Sequence, residues 1–244
     1  MALSLVSVNV EHYRHLDRVI PFLKAEAPDV TCVHELDERD VPAFEEACGP
    51  CVLYMREGTR DLGRGLSTFG AGMFARVPTK DARALYYYGS AETIREDDGH
   101  SDWGTHVLGV LDAAKDGETY RIATTHFTWS ERGAFDANQQ RDLGALLPLL
   151  DSLGDVVFTG DLNAPRGREV FGTLAERYQD NIPQEHATSI DIDLHRAGKT
   201  HREQLSDKMV DGLFTTPRYL AKDVRLQFGV SDHAAVVATI EKAP

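Results

Sequence analysis

The sequence predicts a single α/β domain. Apolar runs of strand length alternate with segments whose apolar residues recur at helical spacing, and this alternation continues from end to end. No internal repeat, low-complexity tract or Ser/Pro-rich linker divides the 244 residues, which are enough to bury a sizeable core. We therefore expect one domain over residues 1–244.

The chain begins with a strand and a helix. Alternating side chains predict a strand over about residues 3–10, with one face apolar throughout. Asn9 and Glu11 share the other face at the carboxyl end of this strand. Apolar residues over 16–23 follow at the spacing of one helix stripe, and this helix is expected to end before Pro28. Two polar side chains are thus expected together where the first strand ends.

A second predicted strand, over about residues 30–36, carries a carboxylate. Glu35 lies near the end of an apolar run, where burying its charge is costly unless it binds a positive group. A metal ion would supply that positive charge. The alternative is a partly exposed residue on a short strand, and this segment alone leaves both interpretations open.

The three cysteines are too few for a disulfide framework. The motif Cys48-Gly-Pro-Cys51 is similar to a thioredoxin-type redox motif, but such a motif should open a helix after a strand. Here it follows a helix predicted over residues 41–47 and precedes a strand over residues 52–55. We therefore interpret its Gly-Pro pair as a helix stop.

Charge is distributed unevenly along the chain. Lys and Arg number 26 against 39 Asp and Glu, so the net charge is −13, which disfavours broad coating of duplex nucleic acid. A Gly-rich loop, predicted from Gly58 to Gly70, is locally basic and leads through an apolar run to Arg76. This arginine-containing stretch suits a rim that meets phosphate.

The rest of the chain continues the alternation. Further strands are expected over about residues 84–88, 105–111, 120–125, 223–228 and 235–240, and helices over about 141–153 and 166–178. An Asp116-Gly117 turn joins two of these strands. A polar stretch over residues 180–206 has no clear period and predicts a loop that is functional or disordered.

The stretch from Thr159 to Pro165 follows the apolar run 156–158 directly. It places Asp161 and Asn163, two residues apart, on one side of a strand end. Such a pair can orient a water for attack and hydrogen-bond the resulting oxyanion, as hydrolysis of a phosphoester requires. The alternative is an Asx-type turn that closes the strand. His126 ends another predicted strand, where a structural hydrogen bond is the alternative to catalysis.

Six short motifs occur in order along the chain. They are Asn9-Val10-Glu11, Pro28-Asp29-Val30 leading to Glu35, Thr125-His126, Gly160-Asp161-Leu162-Asn163, Val210-Asp211-Gly212 and Ser231-Asp232-His233. Together they resemble the ordered motif set of the endonuclease/exonuclease/phosphatase superfamily, which includes deoxyribonucleases, abasic-site endonucleases, tyrosyl-DNA phosphodiesterases, sphingomyelinases and inositol polyphosphate phosphatases. The resemblance implies a four-layer α/β sandwich, in which two mixed β-sheets pack face to face and helices lie outside.

The same resemblance implies a metal site. It makes Glu35 the principal ligand of Mg²⁺, with Mn²⁺ as a substitute, and makes Glu11 and Asp232 further ligand candidates. Asn9 would support this cluster. Hard carboxylate oxygens are the ligands that Mg²⁺ prefers.

The resemblance also implies catalytic roles. Asp161 would orient or deprotonate the attacking water, and Asn163 would hydrogen-bond a phosphate oxygen. His233 would contact the scissile phosphate, with Asp211 fixing its tautomer. His126 would bind another phosphate oxygen or help to protonate the leaving group.

The chain departs from the family pattern at two positions. His34 stands before the metal-binding Glu where many relatives have Gln, and Glu11 replaces the Asp of the abasic-site branch. The second difference leaves open whether one or two metal ions bind. A carboxylate that orients His126 is also expected, and we predict Glu57 for this role.

The expected function is therefore a Mg²⁺-dependent phosphoester hydrolase that uses in-line attack by water. For a phosphodiesterase, nuclease or endonuclease acting on nucleic acid, we expect a basic rim with aromatic side chains. Its candidate members are Arg76, Phe127, Trp129, Arg132, Arg166 and Arg168. The alternative is an enzyme acting on a small phosphorylated metabolite or a lipid headgroup. A binding protein that has lost catalysis is the third class.

The location of the protein is also predicted from the sequence. The N-terminus enters a strand without a basic flank or a long apolar core, and no apolar stretch is long enough to span a bilayer. We therefore expect a cytoplasmic protein without a membrane span. No protein partner can be identified from the sequence.

Overall fold

A computed structural model describes residues 2–96 and 104–244. The described strands are β1 (Ala2–Asn9), β2 (Val30–Asp37), β3 (Cys51–Asp61), β4 (Leu66–Ala75), β5 (Thr79–Tyr88), β6 (His106–Lys115), β7 (Glu118–His126), β8 (Val157–Asp161), β9 (Gln179–Asp180), β10 (Asp211–Thr215), β11 (Tyr219–Gln227) and β12 (Ala235–Lys242). The described helices are α1 (Leu16–Glu26), α2 (Val41–Cys48), α3 (Ala137–Ser152), α4 (Glu169–Arg177) and α5 (Arg202–Leu205).

The strands form two six-stranded mixed sheets. The first has the order β11-β12-β1-β2-β4-β3, and the second has the order β5-β6-β7-β8-β10-β9. Each sheet has one parallel pair near its middle, β1 with β2 and β7 with β8, while its other neighbours are antiparallel. The carboxyl ends of a parallel pair meet at one edge of a sheet, so four central strands can deliver side chains to common ends of the two sheets.

Alternation along β1 builds two of the layers. Leu3 and Leu5 pack into the apolar core between the sheets, whereas Val6 and Val8 pack against α1 and α2 outside. A third apolar cluster joins the outer face of the second sheet to α3 and α4. The order helix, sheet, sheet, helix confirms the predicted four-layer sandwich.

The predicted Gly-rich loop is wrong for most of its length. β3 continues to Asp61 and β4 begins at Leu66, so only residues 62–65 connect the two strands. The pattern misleads because Gly70 is needed where β3 and β4 lie very close together. A Cβ at Gly70 would lie 1.8 Å from the backbone oxygen of Met55. Gly63, with φ of +92°, is by contrast a turn glycine.

The Gly-Pro pair after Cys48 ends α2, as the helix-stop interpretation predicts. Gly49 has φ of 91° and its N–H donates to the carbonyl of Glu45. Burial raises the pKa of Cys48 to about 11 and that of Cys51 to about 11 as well. Thiols of that pKa carry little thiolate at neutral pH, which argues against a redox motif.

None of the described helices combines the length and apolarity that a bilayer crossing requires.

Candidate active site

The two sheets bring polar side chains together at one end of the sandwich. Asn9, His126 and Asp161 are the last residues of β1, β7 and β8, and Glu35 lies two residues before the end of β2. Because β10 and β12 run antiparallel to β8 and β1, their amino-terminal ends reach the same edge. They bring Asp211 and the segment 231–233 to it. The predicted motif residues therefore converge.

Asn9 joins the two sheets at this end. Its side-chain Nδ2 donates to Glu35 Oε1 and to Asp161 Oδ2, at 3.0 Å each, and its Oδ1 accepts from the backbone N–H of Glu11 at 3.0 Å. Only 1% of Asn9 is exposed. A buried carboxamide that uses both ends in this way fixes the relative position of two carboxylates.

Glu35 is displayed by an irregularity of its strand. The pairing of β2 with β4 shifts register between Val33 and Leu36, and Glu35 has φ of 54°. A left-handed residue is strained, and such strain is typical of a position that re-aims a side chain. Burial disfavours the Glu35 charge, but His12 (Nε2 3.4 Å from Oε2), His126 and Asn9 outweigh this effect and lower its pKa to about 2.

Asp161 and Asn163 form the Asx turn that was one of the two interpretations of this stretch. Asp161 Oδ1 accepts from the backbone N–H of Asn163 at 2.8 Å, which is an Asx turn, and Asn163 has φ of 49°. The other oxygen, Oδ2, remains directed into the site, where Asn9 donates to it. The turn therefore holds Asp161 in place through one oxygen, while the second faces the site.

His126 is held by a carboxylate, and that carboxylate is Glu57 as predicted. The distance from His126 Nδ1 to Glu57 Oε2 is 3.1 Å. On the other side of the ring, Asn163 Nδ2 lies 3.1 Å from His126 Nε2 and donates to the carbonyl of Phe127 at 2.9 Å. Burial opposes the His126 charge, but Glu57 and Asp161 outweigh it and raise the pKa to about 9.

His233 forms a second pair of the same type. Its Nδ1 lies 2.8 Å from Asp211 Oδ2, and both residues are buried. Ser189 Oγ accepts from the backbone N–H of Asp211, at 3.1 Å. Burial opposes the imidazolium form of His233, but Asp211 and Asp161 outweigh it and hold the pKa well above its usual value. The Nε2 atoms of His233 and His126 each lie 3.8 Å from Asp161 Oδ2, on the side of Asp161 that faces the site.

A group of potential metal ligands lies beside these pairs. Glu11, His15 and Asp232 each offer one ligand atom within 4.8 Å of the others, and Glu11 Oε2 lies 3.1 Å from His15 Nε2. Glu11 Oε1 is buried and accepts no hydrogen bond from the described residues. The nearest cationic atom is Nε of the half-exposed Arg14, 3.4 Å from Oε1. Burial, with Glu11 and Glu35 nearby, raises the pKa of Asp232 to about 7, against the attraction of His233. These oxygen and nitrogen donors suit a divalent cation.

The structure thus divides the predicted metal ligands. Glu11 and Asp232 lie with His15, whereas Glu35 is held by Asn9, His12 and His126. A second group consists of Asp161, Asp211 and His233, which also offer one ligand atom each within 4.8 Å of the others.

The site opens into a cavity of about 890 Å³. Trp129, which is 53% exposed, lines it together with Arg132, Arg168 and Lys208. The polar stretch 180–206 contributes His195 and part of the wall. The cavity therefore combines carboxylates at the strand ends with a basic wall formed by Arg132, Arg168 and Lys208, although Glu131 and Asp207 also line it. Cations on this wall fit a phosphate-bearing ligand.

Three of the predicted rim residues lie elsewhere. Phe127 is only 1% exposed and packs in the apolar cluster with α3 and α4, so it does not line the cavity. Arg76 follows β4 at the end where Ala75 pairs with Val30, the start of β2, so it is at the opposite end of the sheet from Glu35. Its guanidinium donates to the carbonyl of Ala47 at the end of α2. Arg166 does not line the cavity, since its guanidinium pairs with Asp180 at 2.9 Å and donates to backbone carbonyls.

Sequence reasoning missed three residues of the site. His12 and His15 both follow the Asn9-Val10-Glu11 motif. The four-residue spacing from Glu11 to His15 could have indicated His15 as a site residue. Lys208 carried no such signal, because it reaches the cavity from the segment before β10.

Comparison with known proteins agrees with this geometry. The sequence matches the family described as "Endonuclease/Exonuclease/phosphatase family" over residues 6–233. The chain belongs to this family. Its members are hydrolases that act on phosphoesters. No protein of a curated set matches the sequence significantly.

Solved structures of family members share the fold. An endonuclease/exonuclease/phosphatase from Bacteroides vulgatus superposes with a TM-score of 0.70 at 15% identity, covering 100% of both chains. TDP2 from D. rerio, complexed with single strand DNA product, gives 0.69 at 16% identity over 99% of both chains. A mannosyl-6-phosphatase from Bacteroides thetaiotaomicron gives 0.67 at 12% identity, over 99% of this chain and 100% of the other. At these identities the likeness concerns the fold alone.

Proposed function

We propose that this protein is a Mg²⁺-dependent phosphodiesterase that cleaves nucleic acid by in-line attack of water. The observation that carries the proposal is the position of Asp161 Oδ2, which accepts from Asn9 and faces His126 and His233 at 3.8 Å each. An acceptor for a water proton and two cationic rings for phosphate oxygens therefore surround one small volume. Phosphoryl transfer depends mainly on positioning and on charge of this kind.

The residues present fit a divalent metal. Glu11, His15 and Asp232 would hold it on one side of the site, with Glu35 close by, and the unsatisfied Glu11 Oε1 supports this assignment. When bound, Mg²⁺, or Mn²⁺ in its place, supplies positive charge that neutralises the phosphate and its developing oxyanion.

The side chains of the chain itself perform the remaining steps. Asp161, held by Asn9 and by the Asn163 N–H, orients the attacking water and accepts its proton. His233, charged beside Asp211, donates from Nε2 to a phosphate oxygen. His126, charged beside Glu57, donates to another oxygen or to the leaving group, with the Asn163 carboxamide next to it.

A second candidate is hydrolysis of a small phosphorylated molecule. It is supported by the fold likeness to a mannosyl-6-phosphatase and by the net charge of −13, which opposes long-range attraction of a polyanion. The basic walls around Trp129 favour nucleic acid over this alternative.

A substrate panel tests the proposal. Plasmid DNA, single-stranded DNA, an abasic-site duplex, RNA, an inositol polyphosphate, a sugar phosphate and sphingomyelin are incubated with Mg²⁺, Mn²⁺ or EDTA. We expect metal-dependent cleavage of nucleic acid, reduced about a hundredfold or more in Glu35→Ala. Glu38→Ala is the matched control, because this carboxylate is three residues away and pairs with the exposed Arg56. Cleavage of the sugar phosphate alone would favour the second candidate.

A further inference from the structure

Two cations meet on the wall of the cavity. Lys208 Nζ donates to the carbonyl oxygen of Arg132 at 3.0 Å, and Arg168 Nη1 donates to the same oxygen at 2.8 Å. Arg168 Nη1 also lies 3.2 Å from the carbonyl of Gly133. One backbone oxygen therefore holds the two positive groups side by side, although they come from different segments of the chain.

No carboxylate neutralises this pair closely. Within residues 2–96 and 104–244, Arg168 forms no ion pair, and the carboxylate nearest to Lys208 is that of Asp207, at 3.9 Å and largely exposed. Burial and the neighbouring Arg168 lower the pKa of Lys208. Two like charges held together in a half-buried position are costly, and an anion placed between them would remove that cost.

A buried hydroxyl of the same cavity lacks a hydrogen-bond partner within the part of the chain that the structure describes. Ser130 lines the cavity, only 1% of it is exposed, and its Oγ has no hydrogen-bond partner among the described residues. An unsatisfied buried hydroxyl costs free energy unless a ligand completes its hydrogen bonds. A phosphate oxygen would accept from it, as it would from the ammonium and the guanidinium.

The segment that carries Ser130 is fixed against the catalytic turn. Gly133 has φ of +67°, and a Cβ there would lie 2.4 Å from Pro165 Cδ, so the Pro165 ring packs directly against the Gly133 backbone. Gln139 Nε2 donates to the carbonyl of Thr128 at 2.9 Å and reaches the carbonyl of Asn163 at 3.4 Å. The segment that carries Ser130, and that Arg168 and Lys208 contact, therefore borders Asn163.

We propose that Ser130, Arg168 and Lys208 form a second phosphate subsite, which binds the phosphate one nucleotide away from the scissile phosphate. Trp129, exposed beside this subsite, stacks on the base between the two phosphates. This inference rests on the proposed function and narrows its substrate to a strand that presents consecutive phosphates and an accessible base.

Nucleotide binding tests the subsite directly. Calorimetric titration of the full chain with Mg²⁺ compares thymidine 5′-monophosphate with thymidine 3′,5′-bisphosphate, which carries two phosphates one nucleoside apart. We expect the wild type to prefer the bisphosphate by about tenfold or more, because a second phosphate gains charge-assisted hydrogen bonds. Lys208→Ala and Arg168→Ala should each remove most of this preference, and Ser130→Ala should reduce it by about threefold.

Matched variants separate the subsite from general effects. Lys24→Ala removes an exposed lysine of α1 that does not line the cavity, and it should keep the full preference. Lys208→Arg retains the charge and should keep most of it. Equal binding of the two nucleotides by the wild type would overturn the proposal, as would a preference that survives both Lys208→Ala and Arg168→Ala. If either alanine variant does not fold, Ser130→Ala and the remaining variant decide.

Two further comparisons distinguish a failure of the subsite from a failure of the proposed function. A bisphosphate preference in a protein that cleaves no nucleic acid would support the subsite and contradict the proposed function. Fructose 1,6-bisphosphate has no base, so binding of it as tight as that of the nucleotide bisphosphate would overturn the stacking role of Trp129. Nucleic-acid cleavage without any bisphosphate preference would leave the proposed function standing and overturn the subsite.

Discussion

At the scale of single residues, the site consists of two histidines that are each oriented by a buried carboxylate. His233 with Asp211 and His126 with Glu57 both direct Nε2 towards Asp161. A carboxylate behind a histidine fixes its tautomer and favours its charged form. In the proposed mechanism, the two carboxylates act through the histidines and do not touch the substrate.

The His233 pair gives the first prediction. Asp211→Asn keeps the shape of the side chain but removes its charge, so His233 loses the carboxylate that raises its pKa. We expect kcat to fall about a hundredfold while KM changes little. Steady-state kinetics on a single-stranded oligonucleotide would measure both constants, and circular dichroism would verify the fold. Activity within a few-fold of wild type would contradict the assigned role.

The His126 pair predicts how stability depends on pH. The folded-state pKa of His126 is about 9, above the ordinary value of 6.5. The stabilisation from its charge is thus complete below about pH 6.5 and is lost as the pH rises through about 9. We expect the melting temperature in EDTA to decrease over this range, and to decrease less in Glu57→Gln. Parallel pH profiles for the two proteins would count against the pairing.

At the scale of elements, the polar stretch 180–206 is an ordered wall. Asp191 anchors this stretch through two hydrogen bonds. Its Oδ2 accepts from the backbone N–H of Gly229 at 2.7 Å, and its backbone N–H donates to the carbonyl of Asp232 at 2.8 Å. The segment before His233 and the wall that carries His195 are therefore connected through one buried carboxylate.

This connection gives a third prediction. Asp191→Ala removes a buried acceptor and should lower the free energy of unfolding by about 1–3 kcal/mol. Asp193→Ala is the control, since that exposed carboxylate pairs with the exposed Arg202 and should cost less than about 1 kcal/mol. Urea unfolding measures both, and hydrogen exchange should accelerate in residues 186–201 of the first variant only. Equal costs in the two variants would show that Asp191 does not anchor the wall.

The same scale shows where sequence reasoning succeeded and failed. A period-two pattern located β1 and an apolar run located β2, because their apolar residues must be buried. The Gly-rich pattern around Gly70 was misread as a loop, since composition does not distinguish a turn glycine from one that permits close strand packing. The sequence also did not show which arginines reach the site. Arg168, the N-cap residue of α4, lines the cavity, whereas Arg76 follows β4 at the opposite end of its sheet from Glu35.

The meeting of the motif residues was predicted, whereas most site residues outside the motifs were not, with Glu57 as an exception. Asn9, Glu35 and Asp161 all follow or end apolar runs, so their meeting at strand ends could be inferred. Glu57 was predicted for His126 from the family pattern, and the structure places the pair 3.1 Å apart. Ser130 could not be found, because an unsatisfied hydroxyl is recognisable only when its surroundings are known.

At the scale of the whole molecule, a net charge of −13 surrounds a cavity with basic walls. Long-range repulsion and short-range attraction therefore act on the same polyanion. Such a protein should engage a short strand at its cavity and should not coat a duplex.

Salt dependence follows from this arrangement. If Arg132, Arg168 and Lys208 meet phosphates of a single strand, log(kcat/KM) should fall against log salt with a slope of about −2. The measurement is turnover of a short oligonucleotide between low and physiological salt, with ionic strength as the only variable. A flat profile would contradict contact with consecutive phosphates and would favour a small phosphorylated substrate.

The most direct test of the central claim is single-turnover cleavage of a single-stranded oligonucleotide by wild type and Asp161→Asn, with Mg²⁺ and with EDTA. The asparagine has a single side-chain oxygen, so it keeps only one of the two hydrogen bonds that Asp161 accepts from Asn9 and Asn163, and it cannot accept a proton from water. We expect Mg²⁺-dependent cleavage by the wild type and a loss of about a thousandfold in the variant, with its fold intact. Cleavage at a similar rate by Asp161→Asn, or by the wild type in EDTA, would contradict the account.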